Sequence, residues 1–432
     1  MAVEMLRFIA KYLPAILPFA FSLLSERIHA FIHRFTYKSV SAPKNVVVLG
    51  GSFAGAWLAL RLAESLPTGY KVVLVEKNSH FNYVFNFPRY SVLQHREQRA
   101  FIPYDGLMKK APKGVFERVQ DVAVEVRDGE IELASGVCVP YEYLAVATGV
   151  RQSGPAKLLA SEKSEACAEL RTLQGKIQGA KRIAIVGGGP VGVEITADIK
   201  TFYPEKTVIL IHSRSQLLSN FGKRLHEHVM GKMNDIGVEV LLGERPNLPQ
   251  VENSEAAELV FKGGRVEHFD LVARDPLQGK EKIIPCTGQT PNSSIIENFL
   301  PTAISPKNGQ ILVKSTLQVH SGPKCGTAFE NIFSLGDVAE TGGPKMGSAA
   351  FVQSGIVEKN ILALIHGKEL SEYKPMSVEG ILKLTLGKDN YVVYAQHEDG
   401  SDFLMPGKDS NVDLAVAKAW KTFGADFKDS DV

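Results

Sequence analysis

The chain has 432 residues, 44% hydrophobic and 22% charged, which is longer than one ordinary core can serve and suits two or three folded domains. A net charge of +2, with both signs mixed along the chain, excludes the basic footprint of a nucleic-acid binder. The four cysteines, Cys138, Cys167, Cys286 and Cys325, form no CxxC, which excludes metal ribbons, disulfide scaffolds and a redox-active dithiol and suits a reducing compartment.

In chain order, the first forty residues are the most apolar. Met5, Phe8, Ile9, Tyr12, Leu13 and Ile16 recur at three- and four-residue steps, with Arg7 and Lys11 on the other face, as in an amphipathic helix. Only fourteen uncharged residues separate Lys11 from Glu26, interrupted by Pro14 and Pro18, whereas about 20 are needed to span a bilayer. Basic residues at both ends (Arg7, Lys11, Arg27, Arg34, Lys38) suit an interfacial membrane anchor or a mitochondrial presequence, the alternative being a helix packed on the protein's own surface. The expected location is therefore membrane-associated, mitochondrial or on the cytosolic face of an organelle. Ala2 excludes N-myristoylation.

"NVVVLGGSFAGAWLALRLAE" (45–64) follows: a buried strand, a glycine-rich turn and a helix, with Ser52 where a GxGxxG fingerprint has its second glycine. The same device returns 137 residues later in "KRIAIVGGGPVGVEITADI" (181–199), complete with Gly187, Gly189 and Gly192. Each runs on to a further apolar strand, "KVVLVEKN" (71–78) or "TVILIHSR" (207–214), so each reads as a βαβ unit whose glycines let the backbone approach a pyrophosphate at a helix N-terminus. Ser52 is small enough to leave that approach open. Glu76 can accept a bond from a ribose 2′-hydroxyl, whereas His212, Ser213 and Arg214 hold the equivalent place in the second unit without a carboxylate. The second site should therefore accept NADPH at least as readily as NADH.

Further on, "YEYLAVATGV" (141–150) ends a strand in Thr148-Gly149, and "KIIPCTGQTPNSS" (282–294) repeats the pattern. "ENIFSLGDVAE" (330–340) delivers Gly336 and Asp337 at a strand end, where a carboxylate can bind a polyol such as ribitol. In this order around two dinucleotide units, these cease to be independent coincidences. The last sixty residues read as a small α+β cap, expected to pack on the first domain, cover the acceptor site or make a homodimer, with "EDGSDFLMPGKDSNVD" as a loop or hairpin and Trp420 in the core.

With these segments the chain resembles the pyridine nucleotide-disulfide oxidoreductase superfamily over about residues 44 to 370. "ADIKTFYPEKTVILIHS", "CTGQTPNSS" and "GDVAETGGPKM" resemble in particular the ferroptosis-suppressor, or AMID, branch of apoptosis-inducing-factor-like flavoproteins, which are NAD(P)H:quinone oxidoreductases. The resemblance implies an α/β fold of two tandem Rossmann-like domains and a small α+β C-terminal domain. Its divisions are an anchor or targeting segment at 1–40, an FAD domain at 44–160 and 290–370, an NAD(P)H domain at 161–289 and a cap or dimerisation domain at 371–432. Carried over, it puts FAD on Gly50, Ser52, Phe53, Ala54, Gly55, Glu76, Lys77, Arg89, Val119, Thr148, Gly149, Gly336 and Asp337. NAD(P)H falls on Gly187, Gly189, Pro190, Val191, Gly192 and Glu194, joined by His212 and Arg214. Lys345 is the candidate catalytic residue, stabilising charge on reduced flavin, with Met346, Phe351 and Gln353 as lining or simple helix packing. The implied chemistry is hydride transfer from NAD(P)H to FAD and onward transfer to a quinone-like acceptor, with no metal. An oxidase or biosynthetic enzyme on this fold, and a redox-gated signalling protein, remain alternatives.

Overall fold

The computed structural model describes residue 21 and residues 24–109, 111–152, 154–247, 257–273, 289–322 and 328–431. Residues 1–20, 22 and 23 of the anchor expected over 1–40, the repeated Thr-Gly at 287–288, Cys286 and Cys325 lie outside them. The fold is α/β, with the two expected sheets.

The first sheet has six strands in the order Gln318–His320, Ala328–Ser334, Tyr143–Val146, Lys44–Leu49, Tyr70–Val75, Phe116–Val119. Neighbours run parallel except the hairpin pairing Gln318–His320 with Ala328–Ser334. Its central strands are unbroken apolar runs because both faces are covered, one by helices and the other by the antiparallel strands Ala123–Arg127, Glu130–Leu133 and Cys138–Pro140. One face carries Phe53–Ala63 and Gly347–Ile365 around Leu58, Leu62, Val357 and Ile361, all fully buried. Thus the chain returns to its first unit after completing the second, a consequence of the strand 328–334 pairing beside 143–146.

The second sheet is parallel throughout, in the order Glu239–Leu242, Thr207–His212, Arg182–Val186, Leu271–Ala273. The two crossings between units are zipped together. Val150–Arg151 pairs antiparallel with Thr290–Pro291, and Thr148 Oγ1 donates to Asn292 O (2.8 Å) while Asn292 Nδ2 donates to Thr148 O (2.9 Å).

The C-terminal segment differs from expectation in its packing. Instead of packing on the first unit alone, its antiparallel sheet (Leu382–Thr385, Asn390–Gln396, Asp402–Lys408) buries Leu384, Val392 and Tyr394 against Ile195 and Ile199 of the second unit. The helix Val416–Thr422, through Val416 and Trp420, joins the first unit's core, as do Tyr373 and Phe423. The segment read as a loop or hairpin is a hairpin, Asp402–Lys408 returning antiparallel on Asn390–Gln396 as the third strand, and Pro406 is tolerated there because the strand lies at the sheet edge.

Residues 24–36 form a helix laid on the first unit with its polar side inward. Arg61 donates to Glu26 (2.6 Å), the His33 ring meets Leu66 O (2.8 Å), and Tyr37, just beyond, donates to Tyr70 O (2.9 Å). Leu24, Ile28, Phe31, Ile32 and Phe35, spaced along one stripe, face outward, with Phe35 75% exposed. Among the described residues no helix is long and apolar enough to cross a membrane.

Candidate functional site

Both glycine turns lie at the carboxyl ends of their sheets, the edge where open α/β sheets take ligands. At the first, Gly50 has φ +95°, and an added Cβ would lie 2.5 Å from Ala147 O; at Gly55 it would lie 1.7 Å from Gly50 O. These two glycines are required by the backbone. Ser52 is not in that position: its φ is −76°, matching −80° at Gly189, where a Cβ would meet nothing within 4 Å. The serine therefore costs the turn nothing, and its exposed side chain makes no cap bond, leaving the helix N-terminus open to a phosphate.

Glu76 is buried at the end of Tyr70–Val75 and accepts the Gly51 N–H and the Asn78 N–H (2.8 Å). Val119 lies beside it, taking the Glu76 N–H on its carbonyl (3.0 Å), while Lys77 is exposed. Tyr104 and Arg118, which the sequence did not signal, complete this end. Tyr104 donates to Gly51 O (2.8 Å), Arg118 stacks on its ring (4.7 Å), and the buried Arg118 Nε has no protein partner. Burial and the Glu76 charge push the Tyr104 hydroxyl far above its ordinary value, so it remains a donor.

At the other end Gly336, with φ +75°, brings the Asp337 turn against Ala54, and Gln353 holds it by accepting the Gly336 N–H (2.8 Å). Thr148 touches Gly50, and Gly149, with φ +66°, faces the Lys157 ammonium. Lys157 is another residue that spacing did not reveal: it donates to Val150 O (2.6 Å). Burial lowers the pKa of both Lys157 and Lys345, and Asp337 partly restores each, so two ammonium groups flank this carboxylate. Lys345 donates to Ala339 O, and Met346 caps the helix Gly347–Ile365. Phe53 stacks among Phe81, Tyr83 and Phe85.

The structure thus gathers the expected FAD residues at one sheet edge, with one exception. Arg89 lies instead in a buried junction, where its Nε meets Asp198 (2.8 Å) and its NH2 meets Gly387 O (3.0 Å). Phe351 also points elsewhere, packing on Trp57 (5.1 Å) and under Arg61 (4.6 Å).

In the second turn Gly187 has φ +129°, Pro190 opens the helix Pro190–Phe202 without a side-chain cap, and Val191 and Gly192 follow in its first turn. The Gly188 N–H is accepted by His212 Nδ1 (3.0 Å), so His212 does here what Glu76 does in the first unit. Burial and Arg214 lower its pKa, keeping the ring neutral with its proton on Nε2, a buried atom without a protein partner. Arg214 is exposed and donates to Ser219 Oγ (2.6 Å). Glu194 differs from expectation. Its Oε1 accepts the Thr385 N–H (3.0 Å) and hydroxyl (3.1 Å), which commits it to the C-terminal sheet; burial raises its pKa to about 7.

Two open helix N-termini, each behind a glycine turn, with an acceptor at one ribose position and an imidazole at the other, define a flavoprotein reduced by a nicotinamide nucleotide. The chain belongs to the pyridine nucleotide-disulphide oxidoreductase family, whose model matches residues 44–355. It is 32% identical over 407 residues to Fe-regulated protein 8 of Mycosarcoma maydis, covering 88% of this chain and 95% of that one. To ferroptosis suppressor protein 1 of Mus musculus it is 29% identical over 389 residues, with the same coverage of 88% and 95%. These relatives support the ferroptosis-suppressor branch. In fold it is similar to the sulfide:quinone oxidoreductase of Aquifex aeolicus, with TM-score 0.66 and 16% identity over 88% of this chain and 92% of that one. It is also similar to the water-forming NADH oxidase of Lactobacillus brevis, with TM-score 0.61 and 18% identity over 82% and 75%. The chain is an FAD-dependent NAD(P)H oxidoreductase.

The residues fit the flavin: the helix N-terminus at Ser52 is left without a side-chain cap, and the buried Arg118 Nε, on the guanidinium stacked over Tyr104, is an unspent donor. The Gly50–Gly55 turn and Glu76 would hold its adenosine diphosphate end, and Asp337 its ribityl chain.

Proposed function

We propose that the enzyme passes electrons taken from NAD(P)H to a quinone-like acceptor while docked on a membrane, mitochondrial or on the cytosolic face of an organelle. The observation that supports this reading is the outward row Leu24, Ile28, Phe31, Ile32 and Phe35 on a helix tied to the flavin unit by its polar side. With Arg27, Arg34 and Lys38 along it, such a face suits the boundary between headgroups and acyl chains, and would hold the site near the phase in which quinones dissolve. The branch resemblance implies the same acceptor, and the sequence offers no CxxC for disulfide relay.

Bound FAD supplies a two-electron carrier between reductant and acceptor. The chain's own share is orientation, exclusion of water and placement of positive charge, for which Lys157 and Lys345 beside Asp337 are the available cations.

The test uses the yellow holoprotein, bleached anaerobically with NADPH or NADH. A short-chain ubiquinone should restore the colour faster than air, and the protein should float with vesicles containing anionic lipid. Ile28→Glu with Phe31→Glu should abolish flotation while leaving a soluble acceptor reduced. Faster reoxidation by air would make the protein an oxidase, and flotation of the double variant would move the membrane contact elsewhere.

A further inference from the structure

We propose that the second nucleotide site selects 2′-phosphorylated nicotinamide nucleotide, and that Arg245 and Lys262, from outside its glycine-turn unit, join Arg214 in binding that phosphate. This inference rests on NAD(P)H as the reductant, and is independent of the acceptor.

A cavity of about 570 Å³ opens beside the second turn, lined among others by Ser213, Arg214, Gly243, Arg245, Asn247 and Lys262. It begins one residue beyond His212, at the carboxyl ends of Thr207–His212 and Glu239–Leu242, where the adenosine half of a dinucleotide is expected. Backbone bonds fix this wall: the Gly243 N–H donates to Arg214 O (3.0 Å) and the Glu244 N–H to His212 O (3.1 Å). The opposite wall is the turn of the hairpin Ala257–Val260/Val266–Phe269, which carries Lys262. Its volume lies in the range of small-molecule sites, enough for the adenosine that bears the phosphate.

The charge pattern distinguishes this cavity from an ordinary solvated surface. Among the described residues its lining contains Arg214, Arg245 and Lys262 but no acidic residue, and Glu244 is not part of it. Nearby cations are neutralised: Arg182 and Arg265 share Glu267. By contrast Arg214 is bonded to a neutral serine hydroxyl, and Arg245 and Lys262 have no ion pair among the described residues. Three unneutralised cations around one concavity repel one another and are relieved by an anion.

The comparison with the first unit identifies the anion. There Glu76, an acceptor, suits a ribose hydroxyl and would repel a phosphate. Here the corresponding His212, its Nδ1 taken by the Gly188 N–H, brings no carboxylate, and two residues further on the cavity's cations begin with Arg214. A phosphate monoester offers only acceptors, and Arg214, Arg245 and Lys262 are donors that match it.

The experiment compares 2′,5′-ADP with 5′-AMP by calorimetry on the holoprotein, and NADPH with NADH as reductants of its flavin. The parent should bind 2′,5′-ADP at least about tenfold more tightly, a preference that weakens with added salt. Arg245→Gln and Lys262→Gln should each cut the NADPH-over-NADH ratio of kcat/KM by about three- to tenfold, with the flavin retained. Equal binding of the two fragments, or variants that leave the ratio unmoved, would overturn the proposal. Failure of both nucleotides to bleach the flavin would instead overturn the assignment of the reductant, while the calorimetry would still judge the cavity.

Discussion

At the scale of single residues, a glycine is required here by dihedral angle and contact, not by its place in a motif. Gly50 and Ser52 are two residues apart in the same turn, yet only the first has a positive φ and a carbonyl where its Cβ would be. Gly50→Ala should therefore cost about 1–3 kcal/mol and much of the bound flavin, whereas Ser52→Gly should leave both nearly unchanged. Thermal melts with flavin absorbance after gel filtration check the pair, and equal losses would refute the distinction. The pairing of Gly51 with Glu76 and Gly188 with His212 shows the same economy, one backbone N–H answered by a carboxylate in one unit and an imidazole in the other.

At the scale of elements, the helix Pro190–Phe202 serves two neighbours. Its first turn opens toward the nucleotide edge, while Glu194 bonds Thr385 and Ile195 and Ile199 bury against the C-terminal sheet. Because burial raises the Glu194 carboxyl from the ordinary carboxylate range to about 7, the folded chain holds a proton that the unfolded chain has released between those values. Its contribution to stability therefore falls as pH rises through that window and is level above it. Glu194→Gln removes this slope: relative to the parent, the variant should gain about 2–4 °C in Tm at pH 8 compared with pH 5. A constant difference across that range would show that the carboxyl titrates normally. The helix over 24–36 is also defined by direction, since the same residues turned over would bury the apolar stripe and expose Glu26 and His33.

At the scale of the whole molecule, three parts meet at Arg89. The short helix Phe87–Tyr90 of the first unit, Asp198 of the second and the Gly387 carbonyl of the C-terminal sheet converge on one guanidinium that is 2% exposed. Arg89→Ala would leave Asp198 buried without its partner and should destabilise the protein by about 3–5 kcal/mol, whereas Arg89→Met with Asp198→Leu should recover most of it. Denaturant unfolding of both variants decides this, and an Arg89→Ala protein that keeps its stability but loses only flavin would return the residue to the cofactor. A second clasp lies nearby, where Asp413, at the end of the segment read as a loop or hairpin, takes Arg96 and Arg99 (2.7 Å each).

The sequence by itself determined the two nucleotide turns, their strands and helices, the Gly336-Asp337 return and the choice of Glu76 and His212 as the residues that tell the sites apart. These are legible because each depends on a backbone requirement or an apolar run contained within a few neighbouring residues. Only the tertiary structure decided that Arg89 and Glu194 join domains, that Phe351 packs on Trp57, that Tyr104, Arg118 and Lys157 belong to the flavin edge, and that Arg245 and Lys262 face one cavity with Arg214. In most of these cases the partner lies tens to hundreds of positions away, and a side chain's local sequence does not say which distant group will neutralise it, bury it or leave it free for a ligand.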